Sequence, residues 1–158
     1  MIRLNRMTDY AVVVLSLLAF EGRRQNTAMM SASEIASRTG ITQPATAKIM
    51  KLLAHAGFVE AARGKDGGYT LVRAPETLSI AEIIEAMEGP IALTACVEAS
   101  VDPCASRHSC FIGGHWEKVN SAIADALECV TLADMIDPQQ LFIPAEDDHL
   151  AGHPEGVM

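Results

Sequence analysis

The chain is 158 residues long, enough for one substantial hydrophobic core and too short for two large independent domains with linkers. Apolar residues make up 49% and charged residues 20%, which excludes a disordered or collagen-like chain. The formal charge of −8 speaks against a nucleic-acid partner until it is divided: residues 1–75 hold ten Lys/Arg against five Asp/Glu, and residues 76–158 hold two against fifteen.

Arg3 and Arg6 precede the apolar run 11–20, which copies the layout of a secretory signal, but no small-x-small cleavage site follows. Ten apolar residues also fall short of the ~20 a helix needs to span a bilayer. The run is therefore expected to be a buried helix of a cytoplasmic protein with no membrane partner, with Thr8 as N-cap, Asp9 as first-turn acid and a stop at Gly22. In a reducing compartment, the four cysteines point to metal or redox chemistry before disulfides.

Residues 22–31 are expected to be a loop. Ser33 is expected to cap a short helix over 34–39 that halts at Gly40, and Thr42 a longer one over 43–55 that halts at Gly57. Two short helices joined by a glycine turn, with Ala36 and Ile41 between them, have the layout of a helix-turn-helix. The second helix is expected to bury Ala47, Ile49 or Met50, Leu52 and Leu53, and to offer Thr42, Gln43, Thr46, Lys48 and Lys51 to base edges and phosphates. An ordinary αα-hairpin with a solvated face fits this pattern too. The next segment favours the first reading: residues 58–63 and 69–73 read as strands around the turn 64–68, which holds three glycines and whose tip is flanked by Arg63 and Lys65. A helix-turn-helix followed by a basic-tipped hairpin is a winged helix, hence a binder of double-stranded DNA.

Ser79 is expected to cap a helix from Ile80 to about Glu88, which Gly89 and Pro90 end. Residues 1–90 then make the winged helix-turn-helix domain and residues 91–114 a loop long enough to need a functional reason. A final helix from about His115 to Ala133, in a segment running to 136, carries the stripe Trp116, Val119, Ile123, Leu127 and Val130. Pairing with its copy in a homodimer would bury that stripe and suit a two-fold symmetric operator; packing back on its own domain is the other outcome. Residues 137–158 are acidic, lack periodicity and are expected to be disordered. The expected fold class is mainly α with a small β-hairpin wing: a winged helix-turn-helix plus a long C-terminal dimerisation helix.

Cys96, Cys104 and Cys110 give C-x7-C-x5-C within that loop, and soft thiolates gathered this way can wrap a metal centre. The spacing matches neither the C-x2-C of zinc ribbons and dithiol sites nor the ferredoxin runs, so alone it supports a metal or redox loop and no more. Cys129, near the end of the amphipathic helix, is expected to be a packed residue. No hydrolytic triad, phosphate loop or catalytic carboxylate pair is visible, so an enzyme is not expected.

The opening residues 1–4, Thr8-Asp9-Tyr10-Ala11-Val12, the helix-turn-helix, the wing 63–71, the three-cysteine loop and Trp116 six residues after Cys110 together resemble the IscR/NsrR family of iron–sulfur transcription regulators. The likeness covers roughly residues 1–135 and is strongest to members that control the SUF cluster-assembly operon. It implies a homodimer on an imperfect palindrome, with the second helix in the major groove and the wing in an A/T-rich minor groove that Arg63 would favour. It also implies a 2Fe-2S or 4Fe-4S cluster on Cys96, Cys104 and Cys110. Some relatives supply the fourth ligand as a histidine three residues after the last cysteine, where this chain has Gly113. Others use an aspartate at the start of the first helix of the partner subunit, a position that Asp9 matches; His115 and His108 are the alternatives. The output implied is repression of iron–sulfur assembly genes in response to iron or redox state. A winged-helix regulator with a zinc site or thiol switch, and an iron–sulfur carrier, are the rival readings.

Overall fold

The computed structural model describes residues 3–25, 29–64 and 67–136. Lys65 and the acidic segment 137–158 lie outside the described residues. The order is α1 (Arg6–Gln25), α2 (Ala32–Thr39), α3 (Gln43–His55), β1 (Val59–Ala62), β2 (Gly68–Leu71), a 3-10 turn (Pro75–Thr77), α4 (Ile80–Glu88), α5 (His115–Glu128) and α6 (Leu132–Met135). This is a mostly helical fold with a two-stranded antiparallel hairpin, the winged helix-turn-helix expected from the sequence.

α1 starts before Thr8. Asn5 caps it, its Oδ1 accepting from the Met7 N–H at 3.0 Å, and the helix runs through Gly22 to Gln25. Thr8 is instead buried, its hydroxyl donating to Glu88 at the end of α4. The helix interior is nearly all core: Ala11, Val14, Leu15, Leu17 and Leu18 are buried. Full burial of each large side chain contributes about 1.5–3 kcal/mol. Charged residues at both ends keep it from being a span, and no helix among the described residues is long and apolar enough to cross a membrane.

α2 is capped by Ser31 rather than Ser33. The Ser31 hydroxyl accepts from the Glu34 N–H while Glu34 accepts from the Ser31 N–H, a reciprocal box that satisfies two otherwise orphaned donors. Gly40, at φ +72°, makes the left-handed turn into α3 that a residue with a Cβ resists. Ile35, Ile41, Ile49, Met50 and Leu53 then close the two helices over α1.

The hairpin pairs Val59 with Leu71 through Ala62 with Gly68, and Met30 adds a one-residue bridge on its other edge through two bonds to Tyr69 at 3.0 and 2.8 Å. α4 carries a second box, Ser79 with Glu82, and Arg73 clamps Glu82 from the end of the wing.

The last helix is shorter than expected. It stops at Glu128 because the chain turns back to the core: the Ile80 N–H donates to the Val130 carbonyl and the Leu132 N–H to the Leu78 carbonyl, each at 2.8 Å. Leu132 and Ile136, around α6, bury in the winged-helix core beside α1. The segment after α5 is thus part of the same domain as α1.

Candidate nucleic-acid interface and cysteine loop

The exposed side of α3 is made by Gln43, Pro44, Ala47, Lys48, Lys51 and His55. Thr42 stands at its N-cap, exposed, with a hydroxyl that makes no capping bond. Two sequence expectations are corrected here. Thr46 is fully buried, in the i, i+3, i+4, i+7 row of Ile49, Met50 and Leu53, so it faces the core and cannot reach a base edge. Ala47 is exposed in its place, and Leu52 is half-buried.

Arg63 is exposed at the entry to the wing turn, which is closed by the Gly67 N–H donating to the Gly64 carbonyl at 3.1 Å. The basic residues divide by partner. Arg23 pairs with Glu76 at 2.6 Å, Arg24 and Arg38 with Glu21, and Arg73 with Glu82 at 2.6 Å. Lys48, Lys51 and Arg63, like Arg3, Arg6 and Lys118, join no ion pair among the described residues. Helix α3 and the wing therefore present uncompensated positive charge on one structural unit, as phosphate binding requires.

The paired cations hold that unit together. Glu21 is 3% exposed and accepts from Arg38 at 2.9 Å, which binds α2 to α1. The Arg38 hydrogen bond, helped by Arg24, holds the Glu21 carboxyl below its ordinary value of 4.5 against the opposing effect of burial.

The cysteine loop runs between α4 and α5. Cys96 and Cys104 are half-buried and Cys110 is exposed; all are free thiols. The Cys104 N–H donates to the Ala95 carbonyl at 2.8 Å, so two of the three cysteines sit on adjacent stretches of backbone. Val97, fully buried, pins that part of the loop, and Cys110 stands on the next turn, where its carbonyl accepts from the Gly113 N–H at 3.0 Å. A Cβ on Gly113 would lie 2.1 Å from the Arg107 carbonyl oxygen, so this turn leaves no room for the histidine found there in some members of the resembled family.

Asp9, His108 and His115 are exposed. Among the described residues, no three His, Cys, Asp or Glu side chains come together as a single ion-binding group. The three thiols are strung along one loop. Their chemistry nonetheless fits an iron–sulfur group: unbridged, solvent-reachable soft donors on irregular backbone, one short of the usual four. Cys129 is exposed at the C-cap of α5, not packed as expected.

One residue of this region escaped the sequence reading. Asn120 on α5 is 5% exposed; its Oδ1 accepts from the Leu93 N–H and its Nδ2 donates to the Ile91 carbonyl, both at 2.9 Å. The signal was a polar residue inside the apolar row of Trp116, Ile123 and Leu127. At the start of that same face, Trp116 and Val119, with Ile112 of the preceding turn, are exposed at 38%, 44% and 49%, a contiguous apolar surface.

Residues 4–138 match the family model described as Rrf2, iron-dependent transcriptional regulator. An Rrf2-like HTH-type transcriptional regulator of Rhodobacter capsulatus is 34% identical over 84% of this chain and 91% of its own length. The HTH-type transcriptional regulator IscR of Cereibacter sphaeroides is 31% identical over 90% of this chain and 92% of its own. Among solved structures, IscR of T. potens superposes with a TM-score of 0.60 at 28% identity over 85% of each chain. These matched proteins are regulators of transcription, not enzymes.

Proposed function

This chain belongs to the Rrf2 family of transcriptional regulators, and on that premise we propose that it is a cytoplasmic, homodimeric repressor of iron–sulfur assembly genes of the SUF type, controlled by an iron–sulfur cluster. The observation that carries the DNA-binding part is that Lys48 and Lys51 on α3 and Arg63 at the wing are exposed and have no acidic partner among the described residues. With α3 in the major groove, Thr42 and Gln43 face base edges, and Lys48 and Lys51 meet phosphates. Arg63 and Lys65 enter the minor groove, where narrow A/T-rich sequence concentrates negative potential. Two copies joined through the apolar face of α5 place their recognition helices on the half-sites of a palindrome.

Cys96, Cys104 and Cys110 are the proposed ligands of a 2Fe-2S or 4Fe-4S cluster. Asp9 of the second copy is the proposed fourth ligand, since Asp9 is exposed at the start of α1 and free to meet another chain. When bound, the cluster supplies a tie among its ligands that iron scarcity or oxidation removes. The loop itself supplies the rest: its backbone is bonded to Asn120 and Glu117 of α5, and α5 packs on α4, whose Glu88 binds Thr8 of α1. A change at the loop thus has a packed route to the DNA-reading unit.

Anaerobic purification tests this reading. Visible absorption with acid-labile sulfide, lost in Cys96→Ala, is the expected result. Colourless protein with stoichiometric zinc would replace the cluster by the zinc reading. The exposure of Cys110 favours one rival, a thiol switch, which would show instead as reversible oxidation of metal-free protein changing DNA affinity.

A further inference from the structure

We propose that Asn120 is the positioning residue through which the state of the cysteine loop reaches α5. The inference rests on the reading above, that the loop governs DNA binding, and names the residue that transmits the signal. An apolar side chain would fill position 120 in the row of Ile123 and Leu127. The chain instead buries an amide there, and both of its ends are used on backbone: the acceptor on Leu93 N–H, the donor on Ile91 C=O.

From this grip a continuous circuit runs through the loop. The Thr94 hydroxyl accepts from the Cys96 N–H at 3.2 Å, and the Ala95 carbonyl from the Cys104 N–H at 2.8 Å. The Cys104 carbonyl accepts from the Arg107 N–H at 3.2 Å, and the Arg107 guanidinium meets Glu98 at 3.3 Å. The Glu98 N–H then donates to Glu117 Oε2 at 3.0 Å, three residues before Asn120 on the same helix. The circuit starts and ends on α5 and encloses Cys96 and Cys104. A displacement of either thiol therefore pulls on α5 at two points one turn apart, and Asn120 is the buried one.

The test uses full-length protein in two measurements. In reduced, metal-free protein, alkylation of Cys96 by iodoacetamide is followed relative to Cys129, which lies outside the circuit. Loss of both amide bonds in Asn120→Leu is expected to speed the Cys96 reaction about 25-fold, at roughly a factor of five per bond, with Asn120→Asp between because it keeps the acceptor. In the second, iron-loaded and metal-free forms are compared on a duplex selected from random-sequence DNA by the wild type. The affinity ratio of the two forms is expected to fall towards one in Asn120→Leu while its iron content stays that of wild type.

Wild-type Cys96 reactivity, or a wild-type affinity ratio, in Asn120→Leu overturns the proposal alone. A ratio of one in the wild type itself contradicts the functional reading and this proposal with it. If Asn120→Leu does not fold, Glu117→Ala carries the same test from the other end of the circuit: faster Cys96 alkylation and a lowered ratio support the proposal, and wild-type values for both overturn it.

Discussion

At position 46 the chain buries a hydroxyl that finds no hydrogen-bond partner among the described residues, although a threonine in a DNA-reading helix is expected to face outward. An unpaired buried hydroxyl costs about 1–3 kcal/mol, and an apolar group of the same shape does not incur it. Thr46→Val is therefore expected to raise the unfolding free energy by about 1 kcal/mol in urea titration and to leave DNA affinity unchanged. Lys48 and Lys51 behave oppositely. Each, changed to Ala, is expected to leave stability alone and to lower the slope of log affinity against log salt by about 0.9, the signature of one lost phosphate contact. The sequence carries the chemistry of α3 in its lysines and Gln43. It does not separate Thr46 from Ala47, because both are small enough to sit under the helix, and only packing against Ile49 and Leu53 decides which does.

At the scale of elements, α2 keeps its place on α1 through Glu21 and Arg38. The folded-state carboxyl of Glu21 lies below its ordinary value of 4.5, so the folded state gains stability above 4.5 and loses it as pH falls through the lower folded value. Glu21→Gln leaves Arg38 without that carboxylate and is expected to melt below the wild type at neutral pH. The gap should close as the pH is lowered beneath 4.5. A melting difference independent of pH would show that the ion pair does not hold the helices together. Several elements were legible in advance: the extent of α3, the start of α4 and the hairpin all follow from caps, glycines and apolar periodicity. The cap of α2 was misread as Ser33, although of the two serines Ser31 is the one with a glutamate three residues on. The end of α5 was not legible, because the bonds that stop it join residues about fifty positions apart, Leu78 and Ile80 with Val130 and Leu132.

For the whole molecule, the apolar face of α5 has different duties along its length. From Asn120 onward it packs on the cysteine loop and α4; at its start Trp116 and Val119, with Ile112 of the preceding turn, are exposed to solvent, and exposed apolar patches of this kind mark interaction surfaces. Trp116→Glu is expected to give a folded monomer in analytical ultracentrifugation with weakened binding to a palindromic duplex, since each half-site then binds alone. A dimer that survives this change would move the interface elsewhere. The three cysteines and their loop were plain in the sequence; the stitching of the loop to α5 was not, because it runs through one buried amide, scattered polar side chains and backbone groups whose pairing carries no sequence signature. The most direct measurement of the central claim is DNA affinity in the same anaerobic preparation before and after its iron is removed. Control by the loop calls for a difference of about 5–150-fold, lost when Cys96, Cys104 and Cys110 are all alanine. Equal affinity of the two forms, or iron still bound by the triple variant, would contradict it.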